Sequence, residues 1–359
     1  MKVGIVGLPN AGKSSLFSAL TGVAAEAANY PFTTIEPNIA IVPVADDRLD
    51  AVAATVRASK VVPDTIAFHD IAGLVAGAHR GEGLGNQFLG NIRETDALVH
   101  VVRTHTDQNV VHPDGRVDPL ADVETIETEL IYADLEQAER RLERVAKTAK
   151  SGDRRALAEA EWLREMVTAL QSGRPARTVP VSADAPDAMA LLQPLTAKPV
   201  LFVANVDEGS DEVPPAIVEH ARAQGALAVA VSARLEAELA ELPEEEAAAM
   251  RADLGLSESG LRTVVRGAFS LLELVAFFTA GEDKPAQSWH LQRGLSVWHA
   301  AGMIHSDIQR GFVRAEVVQW DELVHHGGYA GARERGTLRL EGRDYAVLDG
   351  DVITVRFTP

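Results

Sequence analysis

Short apolar runs recur along the chain, and polar loops separate them. The first contains Val3, Ile5 and Val6, and longer ones cover residues 97–102, 199–204 and 226–232. Runs of this length that are rich in β-branched residues are typical of buried strands in a parallel sheet. We therefore expect an α/β domain built around a mainly parallel sheet.

A helical period replaces this pattern after residue 120. Apolar residues recur there at alternating spacings of four and three, in two series separated by Ser151 and Gly152. The series are Ile131, Leu135, Ala138, Leu142 and Val145, then Ala156, Ala160, Leu163, Val167 and Leu170. Two such stripes joined by a Ser-Gly turn predict an inserted antiparallel coiled-coil hairpin.

The C-terminal part returns to strand patterns. The apolar stretch at 261–278 predicts a helix, and 281–285 has the composition of a linker. Strands are predicted at 287–291, 314–318, 337–340, 345–348 and 352–357, with a helix at 297–301. This mixture predicts a small β-grasp-like domain. The expected domains are therefore a first domain at 1–119 and 191–280, the hairpin at 120–190, and a last domain at 281–359.

The composition excludes several classes of protein. The 359 residues include no cysteine, which excludes disulfides, thiolate metal sites and cysteine nucleophiles. No apolar run reaches the roughly eighteen residues of a membrane-spanning helix, and the N terminus lacks a secretory pattern. We therefore expect a cytoplasmic protein with no membrane partner. A formal net charge of −18 argues against a nucleic-acid-binding surface over the whole protein.

The first strand run leads into a glycine-rich loop. Gly7, Gly12, Lys13 and Ser14 fit the phosphate-loop pattern G-x-x-x-x-G-K-[ST], and a helical run follows. The glycines let backbone N–H groups surround a phosphate, while Lys13 supplies a cation and Ser14 a magnesium ligand. The loop therefore predicts nucleotide binding.

Two later segments fit the switch regions of nucleotide-hydrolysing proteins. In the proline-interrupted loop at 29–38, Thr34 is the candidate to complete a magnesium shell. A connector with locally bonded threonines is the alternative. Asp70 ends a β-rich run and Gly73 follows three residues later, as a magnesium-side aspartate and a γ-phosphate-sensing glycine would.

The residue after Gly73 departs from the Ras pattern. Leu74 occupies the position of the glutamine that orients the attacking water in Ras-type GTPases. An apolar side chain cannot orient water, so hydrolysis would need another group. His79, in a glycine-rich stretch, and His112, in a polar loop, are the catalytic candidates. For each of them, a loop histidine without a catalytic part is the alternative interpretation.

The run at 199–204 ends in a base-recognition motif. It leads into Asn205-Val206-Asp207-Glu208, where a guanine-binding domain carries N-K-x-D. The aspartate of that motif accepts from the N1–H and 2-amino groups of guanine. Because Glu208 is one methylene longer, its carboxylate cannot sit in the same place, which argues against guanine. Asp207 leaves guanine open as an alternative, and Ser232 begins a second base-side loop.

The turn of the predicted hairpin is basic. Between residues 140 and 155, seven basic residues stand against two acidic ones, Glu143 and Asp153. The basic residues are Arg140, Arg141, Arg144, Lys147, Lys150, Arg154 and Arg155. A solvated helix face is one explanation of such a run, and an RNA-binding arm is the other.

Together these motifs resemble those of the Obg-like ATPases of the YchF subfamily. The resemblance rests on the phosphate loop, the switch segment at 31–38, Asp-Ile-Ala-Gly-Leu-Val from Asp70, Asn-Val-Asp-Glu from Asn205, and C-terminal segments at 300–305, 311–316 and 340–345. It covers nearly the whole chain. It implies an α/β P-loop NTPase domain, the inserted coiled coil, and a C-terminal TGS domain of ubiquitin-like β-grasp fold.

The resemblance also implies function and site residues. The N-x-x-E motif of this family goes with ATP in preference to GTP, and its members are associated with the ribosome and with translational or stress regulation. Slow magnesium-dependent ATP hydrolysis by a monomer is expected, with Lys13, Asp70 and Gly73 as catalytic residues. The hairpin tip and the TGS domain are expected to contact the ribosome or its RNA.

Matching positions place each ligand. The nucleotide-binding residues are Asn10, Ala11, Gly12, Lys13, Ser14 and Ser15 for the phosphates, and Asn205, Val206, Glu208 and Ser232 for the base. Magnesium is placed on Ser14 and Thr34, with Asp70 acting through water. A potassium ion is placed on Asn10.

Two alternatives stay open. An Obg-class GTPase would share almost all of these motifs. A nucleotide-gated ribosome- or RNA-binding module with incidental hydrolysis is favoured by Leu74, because no obvious residue replaces the missing glutamine.

Overall fold

The computed structural model describes residues 1–26, 38–71, 84–107, 115, 118–256 and 258–358. They form two compact units. One includes Met1–Glu26 and Ala67–Leu271, and the other includes Val42–Ile66 and the residues from Leu272 onward. The domain boundaries expected from the sequence stay a prediction.

The secondary structure of the described residues alternates strands and helices. The strands are β1 (Lys2–Val6), β2 (Ile39–Pro43), β3 (Lys60–Val62), β4 (Thr65–Asp70), β5 (Ala97–Arg103), β6 (Val200–Asn205), β7 (Leu227–Val231), β8 (Leu274–Thr279), β9 (Pro285–Gln292), β10 (Phe312–Gln319), β11 (Arg339–Glu341) and β12 (Asp351–Phe357). The helices are α1 (Lys13–Glu26), α2 (Asp47–Val56), α3 (Leu84–Arg93), α4 (Pro119–Ala149), α5 (Arg154–Gln171), α6 (Ala188–Leu192), α7 (Pro215–Ala223), α8 (Ala233–Leu239), α9 (Glu244–Asp253), α10 (Gly260–Leu271), α11 (Val297–Ile304), α12 (Ser306–Arg310), α13 (Trp320–His325) and α14 (Tyr329–Arg335). None of the helices in these ranges is long and apolar enough to cross a membrane.

The first sheet has the strand order β2-β4-β1-β5-β6-β7 in the part of the chain that is described. β1 pairs in parallel with β4 and β5, β5 with β6, and β6 with β7. Every residue of β5 and β6 is buried, as expected for central strands of a covered parallel sheet. The mainly parallel α/β sheet expected from the sequence is confirmed.

The inserted coiled-coil hairpin is also confirmed. α4 spans 31 residues and α5 spans 18. Asp118 and Asp153 cap the two helices by accepting from the backbone N–H groups of Ala121 and Ala156. The helices pack together through buried residues that include Ala138, Ala160, Leu163 and Met166. The period seen in the sequence is therefore the contact face of the two helices.

A buried carboxylate joins the hairpin to the sheet of the first unit. Asp134 on α4 is fully buried and accepts from the backbone N–H groups of Leu195 at 2.7 Å and Thr196 at 2.8 Å. It also accepts from the Thr196 hydroxyl at 2.6 Å. Burial raises the pKa of Asp134, and the hydrogen bonds from Thr196 and Leu195 oppose this rise. Asp134 therefore fixes α4 to the segment that enters β6.

The second unit contains a mixed sheet against which α11 packs. Its strand order is β11-β10-β12-β8-β9-β3 within the described residues. β10 pairs antiparallel with β11 and β12, β8 pairs antiparallel with β9, and β12 pairs parallel with β8. Val297 and Ala300 of α11 pack against Phe277, Val317 and Ile353 of the sheet. This arrangement confirms the C-terminal β-grasp fold.

Three expectations for this region were wrong. The helix predicted at 261–278 is α10 followed by β8, because an apolar run that is buried on both faces does not distinguish a helix from a strand. The expected linker is the turn between the antiparallel strands β8 and β9, in which Lys284 N donates to Gly281 O at 3.1 Å. The strand predicted at 345–348 is only an isolated bridge between Ser296 and Ala346.

A segment near the N terminus belongs to the second unit. α2 buries Leu49 and Val52, and β3 pairs in parallel with β9. Arg48 donates to Asp46 at 2.8 Å and to Asp349 at 2.6 Å, which connects the start of α2 to the turn before β12. The sequence had not indicated that residues 42–66 fold with the C-terminal part of the chain.

Candidate nucleotide-binding site

The carboxyl ends of the parallel strands meet at one edge of the first sheet. Ile5 pairs with Asp70, and Val6 pairs with His100. On the other side, Arg103 is opposite Asn205. Each of these strands continues into a loop at the same edge, which is where α/β sheets bind ligands. The register therefore brings the phosphate loop, Asp70 and the base motif together.

The phosphate loop is held by backbone geometry. Asn10 has φ of 63° and Gly12 has φ of 101°. A side chain at Gly12 would collide with the amide of Asn205 as well as strain the backbone, so glycine is required there. α1 begins at Lys13, directly after the loop, and the first N–H groups of a helix have no acceptor within the helix. This is the geometry of an anion-binding helix terminus.

Lys13 and Asp70, which carry opposite charges, lie close enough to affect each other's pKa. Lys13 is only 8% exposed, and its Nζ donates to Leu8 O at 2.7 Å. Burial lowers the pKa of Lys13, and the charge of Asp70 partly opposes this. Burial likewise raises the pKa of Asp70, and Lys13 partly opposes that. For both groups, desolvation shifts the pKa more than the attraction between them opposes it. A ligand can therefore supply further compensating charge to each group.

A cavity of about 530 Å³ opens beside the loop. It is large enough for a nucleotide-sized ligand. Its wall contains most of the residues predicted to bind nucleotide: Asn10, Gly12, Lys13, Ser14, Ser15, Asn205, Val206, Glu208 and Ser232. Ala11 lies behind this wall, with its side chain buried and its carbonyl group turned toward Asn205.

Asn205 connects the two halves of the cavity wall. The residue is 5% exposed, and its Nδ2 donates to Ala11 O at 3.0 Å. Its Oδ1 accepts from Ala233 N, also at 3.0 Å. Both ends of the amide are therefore used to hold the phosphate loop and the loop after β7 in place.

The acidic residues of the base motif have different surroundings. Asp207 accepts from the backbone N–H of Thr106 at 3.1 Å and from its hydroxyl at 3.2 Å. Glu208 is half-exposed and lies 3.6 Å from the Nε of Arg234, which also pairs with Glu238 at 3.1 Å. The Asp207 carboxylate is thus bound within the protein, while Glu208 remains at the cavity surface.

The sequence interpretation missed part of this wall. His105 and Asp107 line the cavity, together with Asp207 and Arg234. The signal was available in principle, because residues 104–107 follow β5, and β5 ends at the same edge as the phosphate loop. The loop was instead interpreted through His112, which lies further along.

Five predicted or discussed residues lie outside the described residues. These are Thr34, Gly73, Leu74, His79 and His112. Their assigned roles stay predictions.

The basic residues at the hairpin tip differ in their ion pairs. Arg140 lies 3.4 Å from Glu136, and Arg141 donates to Glu159 at 2.6 Å and to Leu191 O at 3.3 Å. Arg140 is nevertheless exposed, and so are the remaining five, Arg144, Lys147, Lys150, Arg154 and Arg155. The tip therefore keeps most of its positive charge at the surface.

Known proteins match both ends of the chain. Residues 2–139 match a family described as 50S ribosome-binding GTPase. Residues 274–358 match the C-terminal domain family of YchF GTPases, which is described as a protein of unknown function. A relative from Bacillus subtilis, named ribosome-binding ATPase YchF, is 47% identical over 99% of both chains. The chain belongs to the YchF family.

Other matches agree with the YchF assignment. The protein of the same name from Escherichia coli O157:H7 is 46% identical over 99% of both chains. The YchF GTPase structure from Schizosaccharomyces pombe superposes with a TM-score of 0.88 at 32% identity, covering 99% of this chain and 97% of that one. A GTP-binding protein from Pyrococcus horikoshii shares the fold, with a TM-score of 0.64 at 20% identity over the full length of both chains.

Proposed function

We propose that this protein is a slow, magnesium-dependent ATPase that prefers ATP over GTP, binds the ribosome, and modulates translation or stress responses. The observation that carries the proposal is the single cavity that joins a phosphate loop to the Asn205–Glu208 motif. The names of the bacterial relatives, ribosome-binding ATPase YchF, support the same activity and partner.

The phosphate end of the cavity supports binding of a triphosphate. Lys13 would exchange its bond to Leu8 O for the β- and γ-phosphates, whose charge compensates the buried ammonium group. The N–H groups at the start of α1 would hold the same phosphates. Gly73 would sense the γ-phosphate. Binding and positioning by these residues account for much of the catalysis expected in a phosphoryl transfer.

The residues also fit a magnesium ion. The hydroxyl group of Ser14, at the cavity wall, and the carboxylate of Asp70 are oxygen ligands of the kind that magnesium prefers. Ser14 and Thr34 would bind it directly, and Asp70 through water. Magnesium supplies charge neutralisation on the transferred phosphoryl group. The raised pKa of the half-buried Asp70 is consistent with a carboxylate that a bound cation would stabilise.

The base end supports adenine over guanine. Asp207 is the residue that left guanine open, and its carboxylate already accepts from Thr106. Glu208 reaches the cavity but is one methylene longer than the aspartate of guanine-binding domains. We expect Val206, Glu208 and Ser232 to surround the base, with Asn205 holding the two loops that carry them.

Three further assignments remain part of the proposal. Asn10 would bind a potassium ion beside the phosphates, and His79 or His112 would position the attacking water. Exchanging potassium for sodium, in the wild type and in Asn10→Ala, tests the first. Single His→Ala variants, assayed for turnover at unchanged ATP affinity, test the others.

A competition titration tests the nucleotide. ATP and GTP should displace a labelled nucleotide with different midpoints, ATP being the stronger competitor. A clear GTP preference would replace the proposal with an Obg-class GTPase. Single-turnover hydrolysis with and without purified ribosomes then tests the enzyme. We expect acceleration by ribosomes, and no acceleration would favour a nucleotide-gated binding module.

A further inference from the structure

His105 occupies a fixed position on the cavity wall. Its backbone N–H donates to Asn205 O at 2.9 Å, and Thr104 N donates to the same oxygen at 3.0 Å. On the other side, Thr106 N donates to Asp207 at 3.1 Å. The loop after β5 is thereby fastened to the base motif at three successive residues. The backbone of His105 cannot move without breaking these bonds.

The two ring nitrogens of His105 have different surroundings. His105 lines the cavity together with Val206 and Glu208. Its Nδ1 is enclosed and has no hydrogen-bond partner among the described residues. The ring nitrogen that can meet a ligand is therefore Nε2.

The charges around the ring decide which nitrogen carries the proton. Burial lowers the pKa of His105, Arg103 lowers it further, and Asp207 and Asp107 oppose this. The lowered pKa favours the neutral form of the ring. A proton on Nδ1 would be enclosed with no acceptor among the described residues, which disfavours it. The favoured tautomer carries its proton on Nε2.

We propose that His105 donates its Nε2 hydrogen to a ring nitrogen of adenine and so contributes to recognition of the base. The proposal rests on the proposed function, since it requires that this cavity bind ATP. Lys13 and the start of α1 would bind the phosphates at one end of the cavity. The base would then lie against the wall formed by Asn205–Glu208 and His105. Adenine presents N1, N3 and N7 as ring acceptors, and an N–H donor matches any one of them.

Deaza nucleotides test this hydrogen bond directly. Affinities for ATP and for 1-deaza-, 3-deaza- and 7-deaza-ATP are measured by calorimetry with the full-length protein. We expect the wild type to bind one analogue more weakly than ATP by about 3- to 10-fold, the usual effect of one neutral hydrogen bond. His105→Phe keeps a ring in place without a donor. It should bind ATP more weakly by a similar factor and bind that analogue as well as ATP.

Two further variants complete the experiment. His105→Gln restores an N–H donor and should recover part of the discrimination, and it carries the test if His105→Phe does not fold. His299→Phe, at an exposed position of the second unit, is the matched control and should behave as the wild type. An identical analogue pattern in wild type and His105→Phe would overturn the role of His105 alone. Absence of ATP binding by the wild type would overturn the proposed function as well.

Discussion

The side-chain amide of Asn205 holds the phosphate loop by donating to the carbonyl oxygen of Ala11 at 3.0 Å. The same amide accepts from Ala233 N, so one buried group connects β6, the phosphate loop and the start of α8. Gly12 must lack a side chain because this amide lies against it. Asn205 therefore fixes the shape of the proposed nucleotide site.

Replacing Asn205 should weaken both the fold and the site. Asn205→Ala leaves the Ala11 carbonyl and the Ala233 N–H unpaired, and each buried unpaired group costs about 1–3 kcal/mol. Asn205→Asp should weaken nucleotide binding more, because a carboxylate would face the Ala11 carbonyl. Calorimetric ATP affinity and thermal melting measure the two effects. Asn91→Ala, at an exposed position, is the control. If Asn205→Ala and Asn91→Ala had equal effects, the role of Asn205 would be contradicted.

The magnesium requirement should depend on Asp70. Asp70→Asn removes the charge while keeping the size, so the concentration of magnesium needed for half-maximal ATPase activity should rise about tenfold or more. Without magnesium, the variant should bind ATP at least as tightly as the wild type, because a negative charge near the phosphates is lost. Asp96→Asn, in the turn before β5, is the control. An unchanged magnesium dependence in Asp70→Asn would contradict the proposed role of Asp70 in binding magnesium.

Much of the fold could be predicted because its parts carry strong local patterns. The phosphate loop, the continuous apolar run of β6 and the period of α4 and α5 each have one dominant physical explanation. The base motif could be placed for the same reason, since parallel strands end at a common edge. These elements depend on sequence neighbours or on one general rule of sheet topology.

The remaining features depend on contacts between distant residues. The location of residues 42–66 in the second unit follows from pairing of β3 with β9 and from the bond between Arg48 and Asp349, and neither has a local signal. β8 was predicted as helix because its residues are buried on both faces. His105 was missed because the loop after β5 was interpreted through His112, although β5 ends at the same edge of the sheet as the phosphate loop. The position of His105 follows from bonds to Asn205, a hundred residues away.

A buried histidine should make the stability of the first unit dependent on pH. His100 on β5 is 3% exposed, and burial lowers its pKa from 6.5 to about 4, with Glu127 opposing and His220 and Lys13 adding to the shift. As pH falls from about 6.5 to about 4, His100 binds a proton in the unfolded chain but stays neutral in the folded chain. Stability is therefore lost in that window, by roughly 3 kcal/mol for the full shift.

Substitution of His100 provides the test. In His100→Leu, the free energy of unfolding should fall less between neutral pH and about pH 4 than in the wild type, because the variant has no such proton to take up. Denaturant titrations across this range measure the difference. His325→Leu, at an exposed position of the second unit, is the control and should leave the pH dependence as in the wild type. Parallel curves for wild type and His100→Leu would contradict the assignment.

The exposed basic residues at the hairpin tip should contribute to ribosome binding through phosphate contacts. Lys147 and Arg155 are exposed, whereas Arg141 is already paired with Glu159. The double reversal Lys147→Glu with Arg155→Glu should weaken co-sedimentation with ribosomes. It should also reduce the salt dependence of binding by roughly 0.7–0.9 in log–log slope for each phosphate contact that is lost.

A matched charge change distinguishes the tip from the net charge of the protein. Arg164→Glu with Arg222→Glu alters the charge by the same amount at exposed positions outside the 140–155 segment. We expect this control to keep most of the binding and the original salt slope, because its residues do not belong to the basic cluster. Equal losses in the two double variants would indicate a general electrostatic effect. Unchanged binding in the tip variant would establish the basic run as a solvated helix face and leave the TGS domain as the proposed ribosome contact.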